Sequence, residues 1–187
     1  MKNMKLLLNP FVRIAGLQSL VIGLVMMAVT SVIAYYANIA LDGVLDIHIT
    51  TQQLTWGKAF LYPFISVAVL IVISMILAVM AKTHFRIIDL VGTILMSRIP
   101  FIIGACCGFF VKLPDVNTMV EHPASMLQTS IILTGICTVL VIIWHVVLYV
   151  NSMRVSCNMT GKTLSIVTII AIIVSEVLSK FLLAWLL

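Results

Sequence analysis

Long apolar runs alternate with short polar segments along this chain. The runs cover about residues 14–41, 59–81, 87–111, 127–150 and 163–187. Each is long enough to cross a ~30 Å hydrocarbon core as a helix, which takes ~20 residues. The first is longer than that and is expected to tilt or protrude. Asn9-Pro10-Phe11 precedes it, where a proline suits a short interfacial segment or a first helical turn. Between the runs lie residues 42–57, with Asp42, Asp46 and His48, and the basic turn 82–86. Two more polar segments follow, 112–126 with Pro114, Asp115, Glu121 and Pro123, and 151–162 with Arg154 and Lys162. Trp56 closes the first polar loop in the position of an interfacial anchor. The pattern predicts an all-α integral membrane protein: one transmembrane domain over 1–187, folded as a five-helix bundle.

The third run is interrupted at Ser97-Arg98-Ile99-Pro100. An arginine at the centre of a span costs ~3 kcal/mol on insertion scales. A proline removes a helical hydrogen bond and biases the residue before it away from the helix, so Pro100 is expected to free the Met96 carbonyl. Such features are tolerated where they face protein or water, which puts this span inside the bundle. The same span carries Gly104-Ala105-Cys106-Cys107-Gly108. Its Gly104 and Gly108 form a small-xxx-small face that lets a second helix approach closely.

The fifth run holds one polar stripe. Glu176 and Lys180 are spaced i, i+4 and pair on one face. Ser175 and Ser179 flank them, with Ser165 and Thr168 on roughly the same side. Arg98 lies ~16 Å into its helix and Glu176 ~20 Å into its own. An arginine side chain spans that difference, so the two are expected to meet across the third and fifth spans. The candidate intramembrane cluster is therefore Arg98, Pro100, Ser175, Glu176, Ser179 and Lys180. It reads either as a charge-compensated helix contact or as a transport path.

Composition narrows the class. Hydrophobic residues make up 63% and charged ones 9%, against about 25% charged in soluble domains. The net charge of +5 comes from scattered cations beside span ends, so it is no nucleic-acid signature. It sets orientation instead. With the N-terminus inside, the inner side holds Lys2, Lys5, Arg13, Lys82, Arg86, Arg154 and Lys162; the outer side holds Lys58 and Lys112. The positive-inside rule then places the N-terminus inside and the C-terminus outside. Lys2 and Lys5 before an apolar stretch resemble a signal peptide, but the run is too long for one and reads as a retained first span.

Candidate chemistry adds little. Cys106, Cys107, Cys137 and Cys157 show no Cys-x-x-Cys spacing and read as small packing residues. Thr160-Gly161-Lys162-Thr163 resembles the end of a phosphate-binding loop, but Ser156 stands where the motif needs glycine, and a membrane helix follows. Asn158-Met159-Thr160 is a glycosylation sequon on the inner side, where it goes unused. His48, His84, His122 and His145 show no metal-ligand spacing. No nucleophile elbow or paired-carboxylate cleft is visible. The sequence thus predicts no catalytic residues, no cofactor and no metal.

Three segments carry a family likeness. Asn9-Pro10-Phe11 stands ahead of the first span. Gly92-Thr93-Ile94-Leu95-Met96-Ser97-Arg98-Ile99-Pro100 runs from glycine to proline in the third. Trp144 through Tyr149, then Met153-Arg154 and Met159-Thr160-Gly161-Lys162-Thr163, covers the fourth span, the turn and the last helix start. In these the chain resembles the Yip (Ypt-interacting protein) domain family in its short bacterial form. The resemblance implies five membrane helices and an inner N-terminus. Eukaryotic members act in vesicle traffic, bind Rab-type GTPases and associate with one another. They carry a long polar N-terminal region where this chain has about ten residues, so GTPase binding is not carried over.

Two functions follow. The first is a non-enzymatic scaffold, assembly or trafficking-related factor of the cytoplasmic membrane. Its partners would be membrane lipid and a second copy or another membrane protein, not nucleic acid. The alternative is a small transporter or lipid-handling protein that uses the midplane charges. A dry, packed cluster would count against transport.

Overall fold

A computed structural model describes residues 6–111, 113, 120–121 and 128–186. Most of the expected polar loop at 112–126, together with Lys2, Lys5, Lys112 and His122, lies outside the described residues. The helices are α1 (Leu17–Ala37), α2 (Trp56–Met80), α3 (Ile87–Ser97), α4 (Phe101–Cys107), α5 (Thr129–Ser156) and α6 (Gly161–Leu186). A 3-10 turn, Gly108–Phe110, extends α4. Taken as one span, Ile87–Phe110 joins α1, α2, α5 and α6 as the fifth helix long and apolar enough to cross a membrane.

Helix ends follow local chemistry. α1 stops at Asn38, in the left-handed region with φ 56°, a conformation that asparagine tolerates. Thr55 caps α2, its side chain accepting from the Lys58 amide. At the other end Thr83 N donates to Ala78 O and Lys82 N to Val79 O, a Schellman closure with a lysine in the left-handed position. α5 continues past the expected Val150 to Ser156. Asn9-Pro10-Phe11 leads into a 3-10 turn, Pro10–Val12. It is held by Phe11, buried against Met96 and Leu148, and by Trp144 Nε1 and Asn151 Nδ2, which donate to the carbonyls of Leu7 and Leu8.

Two helices turn small and hydroxyl side chains inward and large aliphatic ones outward. α1 buries Ser19, Gly23, Thr30, Ser31, Ala34 and Ala37 and exposes Val21, Leu24, Val25 and Val29. α6 buries Thr168, Ala171, Ser175 and Ser179 and exposes Ile166, Ile169, Ile173 and Val177. Small side chains on the inner faces let the helices pack closely. Of the five spans, the third is the most enclosed, with 67% of an 18-residue apolar stretch buried against 17–39% in the others. The span with the arginine and the proline is the centre of the bundle.

At the break, Arg98, Ile99, Phe101, Ile102 and Ile103 each donate to the carbonyl three residues back. The span tightens through Pro100 rather than opening. The Met96 carbonyl, expected to be freed by Pro100, instead accepts from Ile99 N at 3.2 Å.

Close crossings sit mainly elsewhere than expected. A Cβ on Gly23 would lie 2.6 Å from Leu95 Cβ and 2.8 Å from Met96 N; one on Gly92 would lie 2.7 Å from Leu20 N. These pairs make α1 and α3 run in parallel with their backbones nearly touching. Gly108 backs onto the end of α1, where a Cβ would stand 2.6 Å from Ala37 O. A Cβ on Gly104 would lie 3.1 Å from Cδ1 of Ile47, in the loop after α1, and 3.7 Å from Val141 Cγ1 of α5.

Gly23→Ala and Gly108→Ala should each destabilise the protein by about 1–3 kcal/mol through overpacking. Gly135 has open space around its Cβ position, so Gly135→Ala should be neutral or stabilising. Thermal melting of the three variants in one detergent checks this; equal midpoints would refute the crossings.

Candidate functional site

The site is built on residues 38–55, which join the end of the expected first span (14–41) to most of the polar loop expected at 42–57. Asn38 anchors both ends of it. Its Nδ2 donates to Thr50 O at 2.7 Å, its Oδ1 accepts from Leu54 N at 2.7 Å, and its carbonyl accepts from Thr50 N. Two short antiparallel strands follow, β1 (Ile39–Ala40) and β2 (His48–Ile49), with Ala40 opposite His48. The chain between them turns back into the bundle. Leu41, Val44 and Ile47 are buried, Val44 completely.

A backbone segment taken into an apolar bundle needs partners for every N–H and C=O. Arg98 and Glu176 supply them. Arg98 Nη1 donates to Val44 O at 2.7 Å and Nη2 to Gly43 O at 3.2 Å. Glu176 Oε2 accepts from Val44 N at 2.6 Å and from Leu45 N at 2.9 Å. The peptide units 43–44 and 44–45 are thus each held at both ends, carbonyl on the cation and amide on the anion. Their dipoles point along the field between the two charges.

The expected direct contact between Arg98 and Glu176 is corrected accordingly: they form no ion pair, because two peptide units stand between them. Gly43 is required here, since a Cβ would overlap Glu176 Oε1. Ser66 Oγ of α2, 3.4 Å away, takes a further Arg98 contact, and the guanidinium lies 4.2 Å from the Phe101 ring centroid. That placement over an aromatic face adds a cation–π term. Arg98 is only 5% exposed.

From Glu176 the charges continue outward. Lys180 Nζ lies 3.7 Å from Glu176 Oε1 and bonds Asp46 Oδ2. His48 Nδ1 stands 3.4 Å from Asp46 and 3.5 Å from Asp42. Asp42, Asp46 and His48 carry donor atoms within 4.8 Å of one another, a grouping that sequence spacing did not single out. Lys180 supplies a matching charge from within the chain, beside Asp46. The neighbouring Asp46 carboxylate, and then the charge of Asp42, raise the His48 pKa, while the contact with His48 above all holds Asp46 well below the usual carboxylate range.

The remaining candidates are placed as follows. Pro100 lies in the tightened turn between α3 and α4. Ser175 and Ser179 are fully buried on the packed face of α6. Ser179 Oγ donates to Glu176 O, and Ser175 Oγ has no partner among the described residues. Ser165, expected on this stripe, is exposed.

Two polar contacts were not foreseen. Thr93 of α3 joins Ser152 and Ser156 of α5, each at 2.7 Å. His145 donates from Nδ1 to Ser97 O at 2.9 Å, just before Arg98. Small hydroxyls at i, i+4 on facing spans were the available signal.

Compared with family models, curated proteins and solved structures, the chain matches none.

Two outcomes follow from this geometry. Arg98→Met and Glu176→Leu should each cost about 3–5 kcal/mol, because each strands buried polar partners. The double variant should be no better than the worse single one, since four backbone groups then lose their partners together. Rescue of melting in the double variant would instead indicate a simple ion pair.

The second concerns pH. Protonated His48 is favoured in the folded chain, so its contribution is full below ~6.5, the free value, and fades as pH rises through the higher folded value. Ionised Asp46 contributes above ~3.9, and that contribution fades as pH falls toward its depressed value. The melting temperature should therefore drop as pH rises above about 6.5. His48→Gln should flatten that drop and leave the acid side; an unchanged drop would clear His48 of the role.

Proposed function

We propose that this chain is a non-enzymatic, multi-pass scaffold or assembly factor of the Yip-like kind, seated in the cytoplasmic membrane. The observation that carries the reading is the occupancy of the midplane charges. Arg98 is buried, and its carbonyl partners come from the chain's own backbone. A transport path keeps such groups free for cargo at some point in its cycle; here they fix a loop. The Yip-like motifs add to the reading, and they imply association with a second copy or another membrane protein. Orientation with the N-terminus inside follows the cations. Arg13, Lys82, Arg86, Arg154 and Lys162 gather at one end of the helices, with Lys58 at the other.

The small-transporter reading keeps one observation in its favour. Beyond Glu176, a groove of about 280 Å³ opens between Asp42, Tyr62, Lys180, Leu183 and Ala184. It reaches the outer charges and stops short of Arg98.

Hydrogen exchange separates the two. In vesicles, the Val44 and Leu45 amides of a scaffold should be protected as long as those in the middle of α3. Exchange within seconds, while α3 stays protected, would mean that the loop leaves its seat and would favour transport. Orientation has its own check. Cys157 is buried, so the exposed Asn158 is the position to label. Asn158→Cys in a Cys157→Ser background should react with an impermeant maleimide only after the cell is opened; labelling of intact cells would reverse the orientation.

A further inference from the structure

We propose that the groove between the end of α5 and the start of α6 holds one anionic phospholipid, with its phosphate on Arg154 and Lys162. The inference rests on the multi-pass membrane reading above and adds a ligand to it. The groove encloses about 720 Å³ between Val150, Arg154, Lys162, Leu164, Ser165 and Ile166. No acidic side chain lines it among the described residues.

Its polarity is ordered by depth. α5 runs toward this end of the bundle, and α6 runs away from it. Val150 therefore lies one turn deeper than Arg154 on one wall, by ~6 Å, and Ile166 one turn deeper than Lys162 on the other. Cations sit at the mouth and aliphatic side chains below, as phosphate sits above acyl chain in a phospholipid. Ile166 is 56% exposed, so the lower wall is open to an acyl chain. Arg154 and Lys162 are exposed and make no ion pair among the described residues, leaving both to neutralise a phosphate. The N–H groups in the first turn of α6 have no acceptor within the helix and add donors at the same level. A zwitterionic lipid brings its own cation to the mouth and gains less. Basic pockets between spans at a membrane surface bind acidic head groups in this way.

The test uses the full chain in neutral detergent, offered phosphatidylglycerol and phosphatidylcholine at equal concentration, with bound lipid read by native mass spectrometry. Phosphatidylglycerol should be retained over phosphatidylcholine by roughly tenfold. Arg154→Gln with Lys162→Gln should bring the ratio near one, and Lys58→Gln at the other end should not. Ser165→Phe, an exposed position that fills the groove and leaves both charges, should also lower retention. Glycerol 3-phosphate at the same concentration should fail to displace the lipid. Equal retention of both lipids, a preference that survives loss of both cations, or full displacement by glycerol 3-phosphate would each overturn the proposal. An alkaline carbonate wash keeps the two readings apart. Release of the chain from membranes sinks the membrane reading, whereas a chain that stays embedded but shows no lipid preference sinks only the groove.

Discussion

Two peptide units held between a buried arginine and a glutamate are the constraint on which this fold depends. Arg98 and Glu176 sit on different helices, and the segment between them belongs to neither. Each charge alone would be costly at that depth, and so would the naked backbone of residues 43–45. Together they cancel: the carbonyls solvate the guanidinium and the amides solvate the carboxylate. The bundle thus carries a polar centre whose charges are partnered by the chain's own backbone, and the loop becomes part of its core.

From that centre the charges run toward solvent in steps of rising exposure. Arg98 is 5% exposed, the Glu176 side chain 24%, and the side chains of Lys180 and His48 47% each. With His48 protonated, Arg98, Lys180 and His48 balance Glu176, Asp46 and Asp42. Neutrality is reached only over the whole series. The inner members are fixed by geometry, whereas the outer ones answer to pH because water still reaches them. Charges in the buried part carry large consequences for stability, and exposed ones carry small ones.

The helices were legible in the sequence because hydropathy alone specifies a span. The central place of the third span was legible too, since an arginine and a proline cannot face lipid. The loop was not. Asp42, Asp46 and His48 made residues 42–57 read as solvated, and that outweighed Val44, Leu45 and Ile47 in the same stretch. A guanidinium has five donors, and one carboxylate cannot satisfy them all; that count was the missed signal for backbone acceptors. Gly23 was missed as well, although Ser19 and Gly23 form a small-xxx-small pair. The crossing it makes depends on Gly92, far away in sequence, and only the fold brings the two together.

The clamp also has an order in time. Glu176 lies 132 residues beyond Val44, on a helix that leaves the ribosome after the other four spans. At ordinary synthesis rates the loop waits on the order of ten seconds for its carboxylate. During that interval the amides of Val44 and Leu45 lack the Glu176 carboxylate as their acceptor. The clamp therefore closes only when α6 arrives, and a chain truncated before Glu176 would keep the two amides without their carboxylate.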